Sequence, residues 1–161
     1  MRHAKAEQFA DSDHERTLEK VGRRDAGAAG SWLARQEITP DYALVSSATR
    51  AVETWQEVAD AADWDLEPDV DSALFAAGPE TALDLIRDVP EDAVTVLFVG
   101  HNPTAATLAQ LLDDGSGDSD AGDEMAAGFP SAALAVLEFD GAWEDLEFGS
   151  ARLTAFHVAR G

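Results

Sequence analysis

The chain has 161 residues, of which 45% are apolar, and this is enough for one domain with a packed core. It contains no cysteine, which excludes disulfides, thiolate metal sites and a cysteine nucleophile. The net charge of −21 would repel a nucleic-acid backbone, so nucleic-acid binding is not expected.

Apolar strands alternate with helical patterns along the chain, which predicts an α/β domain with a mainly parallel sheet. A helix over 23–36 comes first, and the continuous apolar runs at 43–45 and 94–99 are typical of buried strands. The remaining predicted elements are helices at 48–62, 79–88 and 103–112 and closing strands at 134–139 and 152–158. Residues 1–161 are therefore predicted to form a single domain.

An acidic tract over 113–124 (DDGSGDSDAGDE) interrupts this pattern. It cannot bury apolar area and is expected to be a flexible loop. Its acids suggest a calcium site, but with Asp118 as the first ligand the glycine that an EF-hand needs at position six is Asp123. The sequence therefore does not support a calcium loop of that type.

Basic side chains follow two of the predicted strands. Arg50 comes after the strand at 43–45, and His101 comes directly after the strand at 94–99. In an open parallel sheet, ligands bind at the carboxyl ends of the strands. Pro103 opens the next predicted helix, so His101 should lie near a positive helix end, where an anion is stabilised.

Five short motifs run along nearly the whole chain. They are RHA at 2–4, DHERTL at 13–18, VSSATRA at 45–51, VGHNP at 99–103 and FPSA at 129–132. In this order they resemble the histidine phosphatase superfamily, which includes the phosphoglycerate mutases, and within it the small phosphohistidine phosphatases of the SixA type. The resemblance implies a three-layer α/β/α, phosphoglycerate mutase-like fold without a lid domain.

The resemblance also implies a catalytic site. His3 would be the nucleophile that takes the phosphoryl group, Arg2, Arg50 and His101 would surround that group, and Arg16 would help to bind the substrate. A neutral imidazole can attack phosphorus while its other nitrogen donates a hydrogen bond, and guanidinium forks match phosphate geometry. These groups together would replace a metal, so a metal-independent phosphatase without a cofactor is expected.

The substrate is expected to have a leaving group that departs easily. Many relatives take their general acid from a stretch that corresponds to 74–78 here, which has no carboxylate, and Glu80 is the nearest candidate. This favours the imidazole of phosphohistidine on a signalling protein. Two alternatives stay open: a small-molecule phosphomonoesterase that acts on phosphorylated metabolites, and a non-catalytic phosphate-binding module.

Relatives have an apolar strand before the Arg-His pair, whereas only Met1 precedes the pair here. The expectation is that this central strand is missing or truncated and that the natural start lies upstream. No apolar run approaches about 18 residues, and no signal pattern opens the chain. A cytoplasmic location without membrane contact is therefore expected, and the oligomeric state is left undetermined.

Overall fold

The computed structural model describes all 161 residues. The strands are β1 (Tyr42–Ser46), β2 (Asp69–Asp71), β3 (Val96–Val99), β4 (Ala133–Glu138) and β5 (Arg152–Val158). The helices are α1 (Lys20–Arg35), α2 (Thr49–Ala62), α3 (Pro79–Arg87), α4 (Thr104–Leu112) and α5 (Ser119–Ala127), with short 3-10 helices at Ser72–Phe75 and Trp143–Asp145. None of the helices is both long enough and apolar enough to cross a bilayer.

The sheet is mainly parallel, as the sequence predicts. β1 lies between β2 and β3 and pairs in parallel with both, whereas β4 and β5 form an antiparallel pair. The first residues of the chain connect these two parts. The Arg2 N–H donates to the carbonyl of Ala133 at 3.0 Å, and the His3 N–H donates to the carbonyl of Gly100 at 2.9 Å.

Helices cover both faces of the sheet, which confirms the three-layer prediction. Alternate side chains of a strand point to opposite faces. In β1, Ala43 and Val45 pack in one apolar cluster with α2, and Leu44 packs in another with α3 and α4. Helix α1 lies against α2 on the first of these faces.

The acidic tract is a loop only in its first half. The prediction of a loop over 113–124 is wrong from residue 119 onward, because Ser119–Ala127 forms α5. The Asp118 side chain accepts a hydrogen bond from the Ala121 N–H at 2.9 Å and so caps the helix. Ala121 and Met125, one turn apart, are buried against β5 and its neighbours. Two apolar side chains at helical spacing are enough to dock this short helix.

Met1 to His3 occupies only part of the gap between β3 and β4. A cleft of about 770 Å³ opens between these strands and is lined mainly by apolar side chains, including Leu97, Phe98 and Val136. It lies where the sequence predicts an incomplete central strand.

Candidate active site

Three separate segments meet at the carboxyl edge of the parallel strands. Arg50 lies in the first turn of α2, directly after β1, and His101 directly follows β3 and Gly100. His3 is held beside Gly100 by the backbone hydrogen bond already described. The ring centroids of His3 and His101 are 5.1 Å apart. The fold therefore brings together the nucleophile and two of the phosphate-binding groups that the resemblance implies.

The His3 ring is held in one tautomer. Its Nδ1 lies 2.7 Å from the Ala4 carbonyl oxygen, so Nδ1 carries the proton and donates it to this acceptor. Nε2 is then unprotonated, and the Nε–H of Arg50 donates to it at 3.3 Å. Burial lowers the pKa of His3 to about 3, and the nearby charges of Arg50 and Arg2 act in the same direction. His3 is therefore a neutral imidazole with an unprotonated Nε2 at neutral pH.

The backbone of Ala4, next to His3, is tied to helix α2. Its N–H donates to Thr54 Oγ1 at 3.0 Å, and the Thr54 hydroxyl donates to the Arg50 carbonyl at 2.6 Å. Thr54 and Ala4 are fully buried. This chain of hydrogen bonds fixes the backbone next to His3 against helix α2.

Two buried polar atoms at the site have no hydrogen-bond partner. They are Nδ1 of His101 and Nε of Arg2. His101 Nε2 lies 2.7 Å from Ser46 Oγ, and Arg2 Nη1 donates to the Phe129 carbonyl at 3.0 Å. A buried polar group without a hydrogen-bond partner lowers the stability of the fold by about 1–3 kcal/mol. Two such groups at one place are therefore typical of a site where a ligand with several acceptor oxygens supplies the missing partners.

His101 is also neutral at physiological pH. Burial above all, together with the positive charge of Arg50, lowers its pKa to about 4. When the Ser46 hydroxyl donates to Nε2, Nδ1 carries the remaining proton and is a donor. Ser46 lies in the VSSATRA motif, which by itself assigns this side chain no role. A serine at the end of a strand carries no signal of its own that it orients a histidine.

Arg50 and Arg16 are linked through Asp13. Arg50 is almost fully buried and donates from Nη1 to the Asp13 carbonyl at 2.6 Å and from Nη2 to the Asp13 carboxylate at 3.1 Å. Arg16 Nη1 donates to the other carboxylate oxygen at 2.7 Å. These bonds, that from Arg16 above all, hold the pKa of Asp13 below its ordinary value. The sequence did not predict that Asp13 links the two arginines, although Asp13 lies in the DHERTL motif.

Glu80, the candidate acid of the sequence analysis, lies elsewhere. It is exposed in the first turn of α3 and lines a surface pocket with Arg87 and Phe148. A carboxylate in this position favours the positive N-terminus of its own helix. The rim of the site is instead aromatic, because Phe75 lies 5.8 Å from the His101 ring centroid.

Comparison with known proteins identifies the family of the chain. A sequence model of the histidine phosphatase superfamily (branch 1) matches residues 1–75, which include the positions of Arg2, His3, Arg16 and Arg50. An uncharacterised protein of Mycobacterium tuberculosis is 38% identical over 163 residues, covering 99% of this chain and 100% of its own. A protein of Haemophilus influenzae, named as a homologue of the phosphohistidine phosphatase SixA, is 32% identical and covers 72% of this chain and 87% of its own.

The match to solved structures extends over nearly the whole fold. A structure from Nakamurella multipartita, described as a candidate SixA phosphohistidine phosphatase, superposes with a TM-score of 0.85 at 34% identity. The alignment covers 99% of this chain and 93% of that one.

Proposed function

Because this chain is a phosphatase that belongs to the histidine phosphatase superfamily and is similar to its SixA-type members, we propose that it hydrolyses phosphohistidine on signalling proteins. The observation that carries the proposal is the state of His3. Its Nε2 is unprotonated, faces Arg50 and lies beside a second neutral imidazole. This is what a nucleophile that takes up a phosphoryl group requires.

Arg2, Arg50 and His101 would hold the transferring group. Charge in phosphoryl transfer is spread over three equatorial oxygens, so donors must already be in position. The unpartnered Nδ1 of His101 and Nε of Arg2 are such donors. Arg16 would add its charge at the edge of the site through the shared Asp13 carboxylate.

The reaction needs no metal in this scheme. No cluster of three or more imidazole or carboxylate side chains lies close enough together to hold a metal ion. The guanidinium groups supply the positive charge instead. Metal independence is thus part of the proposal and is tested by activity in a chelator.

Both steps balance with His3 alone as the covalent group. Its Nε2 lone pair forms a bond to phosphorus as the bond from phosphorus to the substrate nitrogen breaks. The substrate imidazole leaves as a neutral ring when its other nitrogen carries a proton. Water then attacks phosphorus, the bond to Nε2 breaks and returns its electron pair to His3, and inorganic phosphate leaves with one proton released to solvent.

The position of Glu80 supports an easily departing leaving group. An alkoxide leaving group needs a proton donor, and Glu80, the nearest candidate carboxylate, lines a surface pocket on α3. A protonated phosphohistidine releases a neutral imidazole and needs no such donor. This supports phosphohistidine over sugar phosphates as the substrate.

The nucleophile is tested by trapping the phosphoenzyme. A phosphohistidine-containing protein labelled with radioactive phosphate, mixed with enzyme in excess chelator, should label the wild type. His3→Ala should abolish the label and lower turnover by at least about 1000-fold, since the covalent step disappears. His157→Gln is the matched control, because His157 stacks on Trp32 at 4.6 Å, away from the site. Full turnover by His3→Ala in chelator would contradict the mechanism.

The substrate class is tested by leaving-group dependence. We expect good turnover of phosphohistidine and aryl phosphates and a steep fall for alkyl phosphates. Comparable rates for alkyl phosphates would favour the small-molecule phosphomonoesterase. Phosphate binding without turnover of any compound would favour the non-catalytic module.

A further inference from the structure

Phe75 stands at the rim of the site and has no part in the mechanism described above. It ends the 3-10 helix Ser72–Phe75, which follows β2, and its side chain is half-buried. The ring centroid lies 5.8 Å from the His101 ring centroid, in an edge-to-face arrangement. The guanidinium carbon of Arg50 also lies over this ring, at 5.8 Å from its centroid.

His14 extends this aromatic surface. Its ring centroid lies 5.0 Å from that of Phe75, again edge-to-face. Its Nε2 lies 2.9 Å from Ser47 Oγ, and its carbonyl accepts the Thr49 N–H at 3.0 Å. Both ring and backbone are therefore fixed next to the start of α2. We call Phe75 and His14 the aromatic wall.

The aromatic wall adjoins the groups proposed to hold the phosphoryl group. In-line transfer to His3 requires the leaving group to point away from His3. A leaving ring that is bonded directly to phosphorus lies next to the phosphoryl group. It therefore also lies close to Arg50 and His101, which would hold that group. Aromatic rings prefer edge-to-face or offset contacts with one another, which Phe75 can offer through its exposed part.

We propose that the aromatic wall binds the departing imidazole ring and so determines specificity for phosphohistidine. This inference rests on the proposed function and deepens it. A hydrocarbon ring offers no hydrogen bond to a sugar hydroxyl but can contact another ring over its planar surface, so it selects for a planar leaving group. Phe75 is thus a specificity residue, and His14 packs against it.

The test compares two substrates that differ in the ring. Phosphoimidazole and phosphoramidate both contain a phosphorus–nitrogen bond, but only the first has an aromatic leaving group. The measured quantity is the ratio of their kcat/KM values. Phe75→Leu should lower this ratio about three- to tenfold, which corresponds to the usual interaction energy of one aromatic pair. Phe75→Tyr, which retains the ring, should leave the ratio unchanged. Phe148→Leu, a change of another partly exposed phenylalanine, is the matched control and should not alter the ratio.

Each outcome decides for or against the inference. An equal fall for both substrates in Phe75→Leu would mean that the ring only supports Arg50, and the inference would be wrong. If Phe75→Leu does not fold, His14→Asn provides the second test and should also lower the ratio. A wild-type enzyme that cleaves esters but neither phosphorus–nitrogen compound would overturn the proposed function itself. Turnover of both compounds with an unchanged ratio would overturn only the aromatic wall.

Discussion

At the scale of single residues, the site depends on two imidazoles that stay neutral because they are buried. The pKa of His3 is lowered to about 3 and that of His101 to about 4. An unburied histidine has a pKa near 6.5, so at pH 6 most of it would be protonated and would lack the lone pair that the proposed attack on phosphorus needs. We therefore expect NMR to show no titration of either ring between pH 5 and 8, with His3→Gln used to assign the His3 signals.

These lowered pKa values also predict how stability depends on pH. Between pH 6.5 and 3 the unfolded chain binds a proton at His3 that the folded chain does not, so the free energy of unfolding falls as the pH falls. The His3 contribution is fully present above pH 6.5 and amounts to at most about 1.4 kcal/mol per pH unit below it. Urea unfolding at pH 6.5 and 5 should therefore show a smaller loss for His3→Gln than for the wild type. Carboxylates titrate in both proteins, so equal losses would mean that His3 is not desolvated as described.

At the scale of elements, helix α1 contains two glycines in unlike surroundings. A Cβ built on Gly30 would lie 2.1 Å from the Val58 carbonyl oxygen of α2, whereas one on Gly27 would meet only Ala61 Cβ, at 3.8 Å, and the Glu57 carbonyl, at 4.0 Å. We expect Gly30→Ala to lower the free energy of unfolding by about 1–3 kcal/mol, because the two helices must move apart. Gly27→Ala, the matched control in the same helix, should leave it unchanged or raise it by up to about 1 kcal/mol.

Denaturant unfolding of the two variants measures this difference. Equal effects of the two substitutions would show that the close approach of α1 and α2 does not depend on Gly30. The sequence alone treats both glycines as weak points of a helix. Only the packing of α1 on α2 shows that the fold requires a glycine at position 30 and not at position 27.

The same distinction explains what could be predicted from the sequence. Continuous apolar runs identify β1 and β3 because a strand covered on both faces has no polar side, and the residues after them locate Arg50 and His101. The three-residue strand β2 is Asp-Val-Asp and has no such pattern, so it was not predicted. The bonds of Asp13 to Arg50 and of Ser46 to His101 join segments that are far apart in the sequence. The local pattern of apolar residues contains no information about such contacts.

At the scale of the whole molecule, charge is distributed unequally. Residues 1–24 carry a net charge of +1 and the remainder −22. Arg2, His3 and Arg16 all belong to the less negative segment. The site therefore lies in the part of the protein that repels an anionic substrate least. On the rest of the surface, the excess negative charges repel one another.

This self-repulsion predicts a response to salt. Raising KCl from 0.01 to 0.2 M shortens the screening length from about 30 Å to below 10 Å, so like charges on the surface repel one another less. The melting temperature of the native chain should rise by at least about 2 °C, because screening favours the compact state. Replacing the exposed Glu91 and Asp92 with lysine lowers the net negative charge and should make the rise smaller. A melting temperature independent of salt in both proteins would show that local ion pairs, such as those of Arg23 with Glu53 and Glu57, offset the repulsion at low salt.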